Sequence, residues 1–582
     1  MFHHNLLRKR NYFPIKFTLK FSRTLADAAN REILFQDRCS KDLYKWQIEN
    51  NPKEMFILHD GPPYADGSHA LNKILKDIIN RYKVLHGYKV KMGLSCSNTM
   101  IYLLGPLQIR DVEKKSALEA LEIQRKEFIS WGIMGDWENP YRTLDKEYEV
   151  RQLQVFHNMM KKGYIYRQNK PVHWSPSSRT ALAEAELEYR DDHQSKSVYV
   201  KLPVINSTLN SQEGLKDNLY ILIWTTTPWT LPANQAVAIN PNIEYSIVCP
   251  NNDTLMTQNN YIIATKSEKQ CKIIDASHIT EESGAGLVHI APGHGMEDYE
   301  ACKKFDIPTF CPVDEFGIFT VNLHLKHKYP YDWRTKKPII LRATPQWFAN
   351  VEAIKQQAIK LLEDVKMVPK SARYRLEQFT LSRSEWCISR QRSWGVPIPV
   401  FYESEKDAPL LTDSSVEHII EIFKKHGSDG WWKLDDQELL APELKIIMVK
   451  HIEREMIQWI KDFKAIADLY LEGSDQHRGW FQFSLLTLVA VNDKASYSTL
   501  ITHGFVMGEQ DQKMSKSLGN VINPSTIIKG GKHSLLKITQ TINLPWKHAA
   551  FTMLLVNYAV ITSKPTNSRL FHTHYTSDMR NS

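Results

Sequence analysis

Cysteine is sparse in this chain and poorly spaced. Cys39, Cys96, Cys249, Cys271, Cys302, Cys311 and Cys387 are its seven, and no two stand as C-x-x-C. That spacing argues against a disulfide framework and against a four-cysteine zinc site, so reduced thiols and no protein-borne metal centre are expected. Long apolar runs are missing as well. A membrane span needs roughly 18 consecutive apolar residues; the stretch 549–561 is shorter and holds Asn557, so no membrane partner is expected. Internal repeats and long low-complexity segments are also lacking. Acidic residues are missing from the first 26 positions, which carry Arg8, Lys9, Arg10, Lys16, Lys20 and Arg23 among Phe, Leu and Ile. An acid-free, basic, amphipathic start reads as a transit peptide for the mitochondrial matrix; a basic tail that touches a polyanion is the alternative.

What is present is ample for several domains: 582 residues, 42% of them hydrophobic. The balance of 74 Lys+Arg against 65 Asp+Glu is mildly basic. It permits a polyanionic partner without demanding one.

The run Met55-Phe56-Ile57-Leu58-His59 reads as a short buried strand, followed by the turn residues Gly61, Pro62 and Pro63. Leu71, Ile74, Leu75, Ile78, Ile79 and Tyr82 then recur at helical spacing. Strand, turn and helix in that order open a doubly wound α/β domain whose ligand crevice lies at the strand end. A comparable unit recurs late, with a helix predicted over 480–491, a strand over 499–506 and a loop beyond it. Between the halves, from about 195 to 320, short runs such as Ser197-Val198-Tyr199-Val200, Tyr220-Ile221-Leu222-Ile223-Trp224 and Tyr261-Ile262-Ile263-Ala264 alternate with Asn, Gly and Pro clusters, as in a β-rich insertion. A helix over 353–362 leads back to the first domain.

Five strings carry the chemistry, in this order: Asp60-Gly61-Pro62-Pro63-Tyr64; Trp224-Thr225-Thr226-Thr227-Pro228-Trp229-Thr230; Trp386-Cys387-Ile388-Ser389-Arg390-Gln391-Arg392; Glu472-Gly473-Ser474-Asp475-Gln476-His477-Arg478-Gly479-Trp480; and Lys513-Met514-Ser515-Lys516-Ser517. A lysine pair around a small flexible residue suits a loop that closes on a polyphosphate and then releases it. Together the five strings resemble the isoleucyl-tRNA synthetases, a family of class I aminoacyl-tRNA synthetases, over about residues 26–532.

The resemblance implies a Rossmann-like, doubly wound parallel-sheet catalytic domain in two parts, 26–194 and 336–531, around a β-rich editing domain at 195–335. A transit peptide at 1–25 would precede them. An unmatched tail at 532–582 stands where the family has an anticodon-binding domain. The implied reaction is ATP-dependent ligation of isoleucine to tRNA(Ile) through an isoleucyl-adenylate, by a monomer that uses ATP and Mg²⁺. Lys513 and Lys516 would hold the leaving pyrophosphate. His69 aligns with the second histidine of the family's H-x-G-H turn, where a helix N-terminus meets the ATP phosphates. Pro62, Tyr64, Glu472, Gly473, Asp475, Gln476 and Trp480 match the adenylate and side-chain pocket. Glu472 suits hydroxyl or amine donors, and Trp480 suits a branched aliphatic chain unless it is simply core.

An apolar pocket rejects valine poorly. Isoleucine over valine, the standard example of this limit, is worth only about 1–3 kcal/mol, which calls for a second, hydrolytic site. Thr225, Thr226, Thr227, Thr230 and Asn234, with His289, His294 and Asp298, match that editing site. Asp298 is the candidate anchor for the free α-ammonium; threonine-rich strands otherwise reflect β-propensity alone. Arg390 and Arg392 are candidate contacts to the tRNA acceptor end or, alternatively, a domain brace; Lys336 and Lys337 are weaker candidates for the same contact.

Four segments depart from the family pattern. The turn Ala65-Asp66-Gly67-Ser68-His69-Ala70 is shortened and lacks the first histidine. The string Met92-Gly93-Leu94-Ser95-Cys96 stands where a W-D-C-H-G-L-P segment is expected. Residues 446–467 replace a W-F-D-S-G string, and the last fifty residues match nothing in the family. A shortened turn weakens the hold on ATP. A synthetase-like protein that only deacylates mischarged tRNA, or a non-catalytic tRNA-binding remnant, is therefore the alternative reading.

Overall fold

The computed structural model describes residues 35–61, 70–92, 105–203, 220–239, 272–275, 287–309, 325–403, 408–445, 449–451, 455–457 and 466–506, together with Met514, Asn520 and Pro524. The expected transit segment, Pro62, Tyr64, His69, the run 261–264, Lys513, Lys516 and the tail lie outside the described residues.

The apolar run predicted as the first strand is Met55–His59, and it sits inside a five-stranded sheet. The spatial order is Lys366–Val368, Tyr497–His503, Ala467–Gly473, Met55–His59, Lys89–Met92, and each neighbouring pair is parallel. Two strand–helix–strand units make its centre. One runs Met55–His59, Ala70–Leu85, Lys89–Met92; the other runs Ala467–Gly473, Trp480–Asn492, Tyr497–His503. The units meet where Leu58 pairs with Leu469 and His59 with Tyr470. From that seam the chain winds outward in opposite directions, which opens a crevice beyond the carboxyl ends of the two central strands.

The helix Trp480–Asn492 is apolar all round and buried over 480–490, as a helix enclosed by its own core must be. Its Phe483 ring stacks on Trp386 with centroids 4.6 Å apart, tying the returning chain to the sheet. The predicted helix over 353–362 is Glu352–Leu362. The predicted strand over 499–506 is Tyr497–His503, ending before Gly504; beyond it the Met514 amide donates to the Val506 carbonyl at 2.9 Å. The helix Ala70–Leu85 departs from its apolar pattern. Ile78 and Tyr82 are exposed, whereas Lys76, Asp77 and Asn80 are fully buried.

Between the halves, Ile165–Ser175 and Ile340–Asn350 form the centre of a four-stranded sheet with Thr180–Leu182 and Glu385–Cys387. From it rises a two-stranded antiparallel ribbon, Leu187–Ser195 against Leu325–Asp332, which closes off the intervening chain. Beyond the ribbon, Val198–Pro203 pairs with Tyr220–Thr225, and Ala236–Ile239 runs between Leu287–Ile290 and Lys272–Asp275. The β-rich reading of this stretch agrees with these strands. No helix among the described residues is long and apolar enough to cross a membrane.

Phe483→Ala removes a buried ring from the largest core cluster and leaves Trp386 facing a void. It should destabilise the sheet half by about 3–5 kcal/mol, read as a lowered urea midpoint of tryptophan fluorescence.

Candidate functional site

The crevice is built by chain segments more than 400 residues apart. Ala467–Gly473 ends with Glu472 at its lip, and Met55–His59 delivers Asp60 and Gly61 to the opposite lip. The Glu472 carboxylate accepts the Gly61 amide at 2.9 Å and the Lys76 ammonium at 2.7 Å on one oxygen, and the Asn72 amide at 2.9 Å on the other. Its side chain remains 17% exposed toward the crevice. Among the described residues these three donors leave one of the roughly four lone-pair directions of a carboxylate for a ligand.

Under that lip the ammonium groups of Lys73 and Lys76 both pair with the buried Asp60 carboxylate. Burial pushes the Asp60 carboxyl upward, but the two ammoniums outweigh it and hold the group well below the usual carboxylate range. Burial lowers Lys73, with Asp60 opposing. Lys76 is raised, because Asp60 and Glu472 together outweigh its desolvation. The Asn72 amide also reaches the Leu471 carbonyl at 3.1 Å and His503 Nε2 at 3.2 Å. The Gly504 carbonyl, 2.7 Å from His503 Nδ1, can only accept, so the ring carries a proton on Nδ1 and donates it there.

The remaining pocket residues follow on the 474–477 turn. A Cβ on Gly473 would lie 2.6 Å from Asp475 Oδ1, so a larger residue there would turn the Asp475 carboxylate aside. Asp475 is exposed and accepts the Gln476 amide at 2.8 Å, while Gln476 Oε1 accepts the Trp480 amide at 3.2 Å and so caps the helix start. Trp480 is 2% exposed and stacks on Tyr470 at 5.3 Å. Its edge lies beneath Gly61, where a Cβ would come within 3.2 Å of Cδ1.

Within the inserted segment the threonine string leaves the Tyr220–Thr225 strand and enters the Pro228–Ala233 turn. Thr225 Oγ1 accepts the Thr227 amide at 3.1 Å and lies 3.2 Å from Thr227 Oγ1. The Thr230 hydroxyl donates to the Thr227 carbonyl at 2.8 Å and so accepts from His289 Nε2 at 3.0 Å. Burial, helped by nearby His294, pushes the His289 imidazole down to about 4. His294 is lowered mainly by burial; its Nδ1 donates to the Leu341 carbonyl at 2.9 Å and its ring meets Trp229 edge-on. Asp298 accepts the Ala291 amide at 2.9 Å from the first turn of Met296–Lys304. Thr226 and Asn234 lie half-buried at the two ends of the turn. The fold thus joins Thr225, Thr227, Thr230 and His289 in one hydrogen-bonded chain.

Arg390 and Arg392 serve a different end from the RNA contact that was one of their two readings. Arg390 is 1% exposed, and its Nε meets Glu186 Oε2 at 3.2 Å. Arg392 meets Glu186 Oε1 at 3.0 Å, and Arg334 meets the same oxygen at 3.3 Å. Burial raises the Glu186 carboxyl, but the three guanidiniums outweigh it and hold it well below the usual range. The arginines brace the base of the ribbon. Lys336 pairs with Glu188, and Lys337 is exposed.

Asp60, Asn72, Lys73, Lys76, Glu186 and His503 were missed by sequence reasoning. The one signal was polar: Asn72, Lys73 and Lys76 recur at helical spacing within a helix that follows a buried strand.

The family model described as tRNA synthetases class I (I, L, M and V) matches residues 34–99 and 97–564, so the match runs past 532 into the tail expected to match nothing in the family. The chain is 43% identical to the isoleucine–tRNA ligase of Microcystis aeruginosa over 87% of its own length and 63% of that protein. It is 42% identical to the "Probable isoleucine--tRNA ligase, mitochondrial" of Dictyostelium discoideum, over 91% of this chain and 62% of that one. The chain therefore spans a little under two thirds of these curated relatives. A solved ternary complex of Agrobacterium radiobacter K84 agnB2 LeuRS with tRNA and LeuAMS is similar at 16% identity, over 96% of this chain and 77% of that one, with a TM-score of 0.45.

Two outcomes are expected. Glu186→Gln strands three guanidiniums and should cost about 3–5 kcal/mol in urea unfolding. Because the folded carboxyl is depressed, that contribution is full above the ordinary glutamate value of roughly 4.3 and is lost as pH falls below it. His289 is also depressed, so its contribution is full above its ordinary value of 6.5 and is lost as pH falls toward 4. His289→Gln, which keeps a donor for Thr230, should flatten the thermal midpoint across that window.

Proposed function

Because the chain belongs to the class I tRNA synthetases of the I, L, M and V group, we propose that it ligates isoleucine to tRNA(Ile) through an isoleucyl-adenylate and hydrolyses mischarged valyl-tRNA. The observation that carries this reading is the crevice at the sheet's winding reversal, where Glu472 and Gly61 face each other across the seam of the two chain halves. The names of relatives 41–44% identical to the chain support isoleucine as the amino acid.

In the first step the isoleucine carboxylate attacks the α-phosphorus of ATP and pyrophosphate leaves. Positioning and charge supply most of the rate. Lys513, Lys516 and His69 neutralise the phosphates, and Mg²⁺ would share that charge. Pro62, Tyr64 and Trp480 enclose the aliphatic chain. Gly473, Asp475 and Gln476 border the adenylate, and the free lone-pair direction of Glu472 takes one of its hydroxyl or ammonium donors. In the second step a ribose hydroxyl of the tRNA end attacks the adenylate carbonyl and AMP departs.

The segment 195–335, closed at its base by the ribbon, is the editing unit, set between catalytic parts 26–194 and 336–531. Its Thr225–Thr227–Thr230–His289 chain orients the ester and a water. Thr226 and Asn234 flank it, His294 lies beside it, and Asp298 receives the α-ammonium. A mitochondrial location is supported by the acid-free basic start and by the Dictyostelium relative, and a monomer is the expected state.

ATP–pyrophosphate exchange with isoleucine, valine and leucine side by side tests the reading. Isoleucine should lead valine by about 10–200-fold, at a rate lowered by the shortened 65–70 turn. Deacylation of valyl-tRNA(Ile) with no exchange would instead favour the deacylase reading. Silence in both assays would leave only the tRNA-binding one.

A further inference from the structure

Four charges lie under the crevice in a closed group: Asp60, Lys73, Lys76 and Glu472. Two positive and two negative charges sum to zero, yet the lysines are not equivalent. Lys73 gives its ammonium to Asp60 and covers the Phe128 ring at 5.5 Å. Lys76, one helical turn on, gives its ammonium to Asp60 on one side and to Glu472 on the other. Lys76 is 0% exposed, so no ligand reaches it. Among the described residues three donors hold Glu472, the Gly61 amide, the Asn72 amide and Lys76, and of these only Lys76 is charged.

We propose that Lys76 is a positioning residue for the crevice: from beneath, it fixes the Glu472 carboxylate and, through that carboxylate, the Gly61 amide on the opposite lip. The inference rests on the adenylate reading of the site. Its ligand class is a molecule presenting hydroxyl or ammonium donors to Glu472, such as an aminoacyl-adenylate. Without Lys76, Glu472 keeps two neutral donors, loses its only ionic one and is free to leave Gly61. Without Lys73 the bond from Lys76 to Glu472 stays.

Two charge-balanced double variants separate the lysines. Asp60→Asn/Lys76→Met and Asp60→Asn/Lys73→Met each remove one acid and one lysine from the same buried group. The probes are isoleucyl sulfamoyl-adenosine, a non-hydrolysable adenylate analogue, followed by titration calorimetry, and hydrogen exchange of the Gly61 amide. The Lys76 pair should bind the analogue at least about 30-fold more weakly and exchange Gly61 at least about 10-fold faster. The Lys73 pair carries the same Asp60→Asn change and keeps the bond from Lys76 to Glu472, so it should lose at least about 10-fold less affinity and exchange Gly61 at least about 3-fold more slowly than the Lys76 pair. Equal losses in the two variants, or unchanged Gly61 exchange in the Lys76 pair, overturn the proposal. Lys76→Gln keeps an N–H donor without the charge. It should give an intermediate change, stands in if the methionine variant does not fold, and overturns the proposal if Gly61 exchange is unaltered. If the parent chain binds no analogue, the adenylate reading fails, and Gly61 exchange alone decides whether Lys76 holds the lip.

Discussion

The contact from Glu472 to Gly61 and Lys76 is the constraint on which the crevice depends. It joins the two strand–helix–strand units at the carboxyl ends of the central strands, across 411 positions of chain between Gly61 and Glu472. A half-buried carboxylate such as that of Glu472 is tolerable only where charge and hydrogen bonds replace the water it loses. Here the helix Ala70–Leu85 supplies an ammonium and an amide, and the first strand's exit supplies a backbone N–H. One side chain thereby ties the exit of the first strand to the helix Ala70–Leu85, whose Asn72 in turn reaches His503. Such a network adds little net stability compared with an apolar core. Its geometric effect is larger, because each member has a single set of partners in reach.

A fully buried carboxylate plays the matching part at the other joint. Glu186 gathers Arg334, Arg390 and Arg392 at the foot of the ribbon that carries the inserted segment. Its three guanidiniums come from the chain entering the second half and from the Trp386–Arg392 string, so the insertion is anchored to both of its flanks. The inserted segment therefore rises from a fixed base, and the loop at 291–294 docks back through Ala343 onto the same four-stranded sheet.

Much of this was legible from the chain alone. Strand, turn and helix at 55–85 and the apolar helix after Gly479 are written in local periodicity, and the alternating runs near 198 and 220 are strands as read. The strand expected at 499–506 moved two residues earlier and stopped at His503, since Gly504 ends the ladder. The face of Ala70–Leu85 was misread. Hydrophobic periodicity pointed to Ile78 and Tyr82, while the fold buries Lys76, Asp77 and Asn80 because each finds a partner there. Arg390 looked available for RNA by residue type, and the structure encloses it beside Glu186.

Sequence by itself determined the element types, the winding of two parallel units and the order of five motif strings, because period and turn chemistry are properties of neighbouring residues. Tertiary structure decided which charges meet: Glu472 with Lys76, Glu186 with three arginines, His289 with Thr230. The energy of a buried polar group is set by what faces it across the fold. Those partners lie from 59 to about 400 positions away along the chain, so no local pattern could name them.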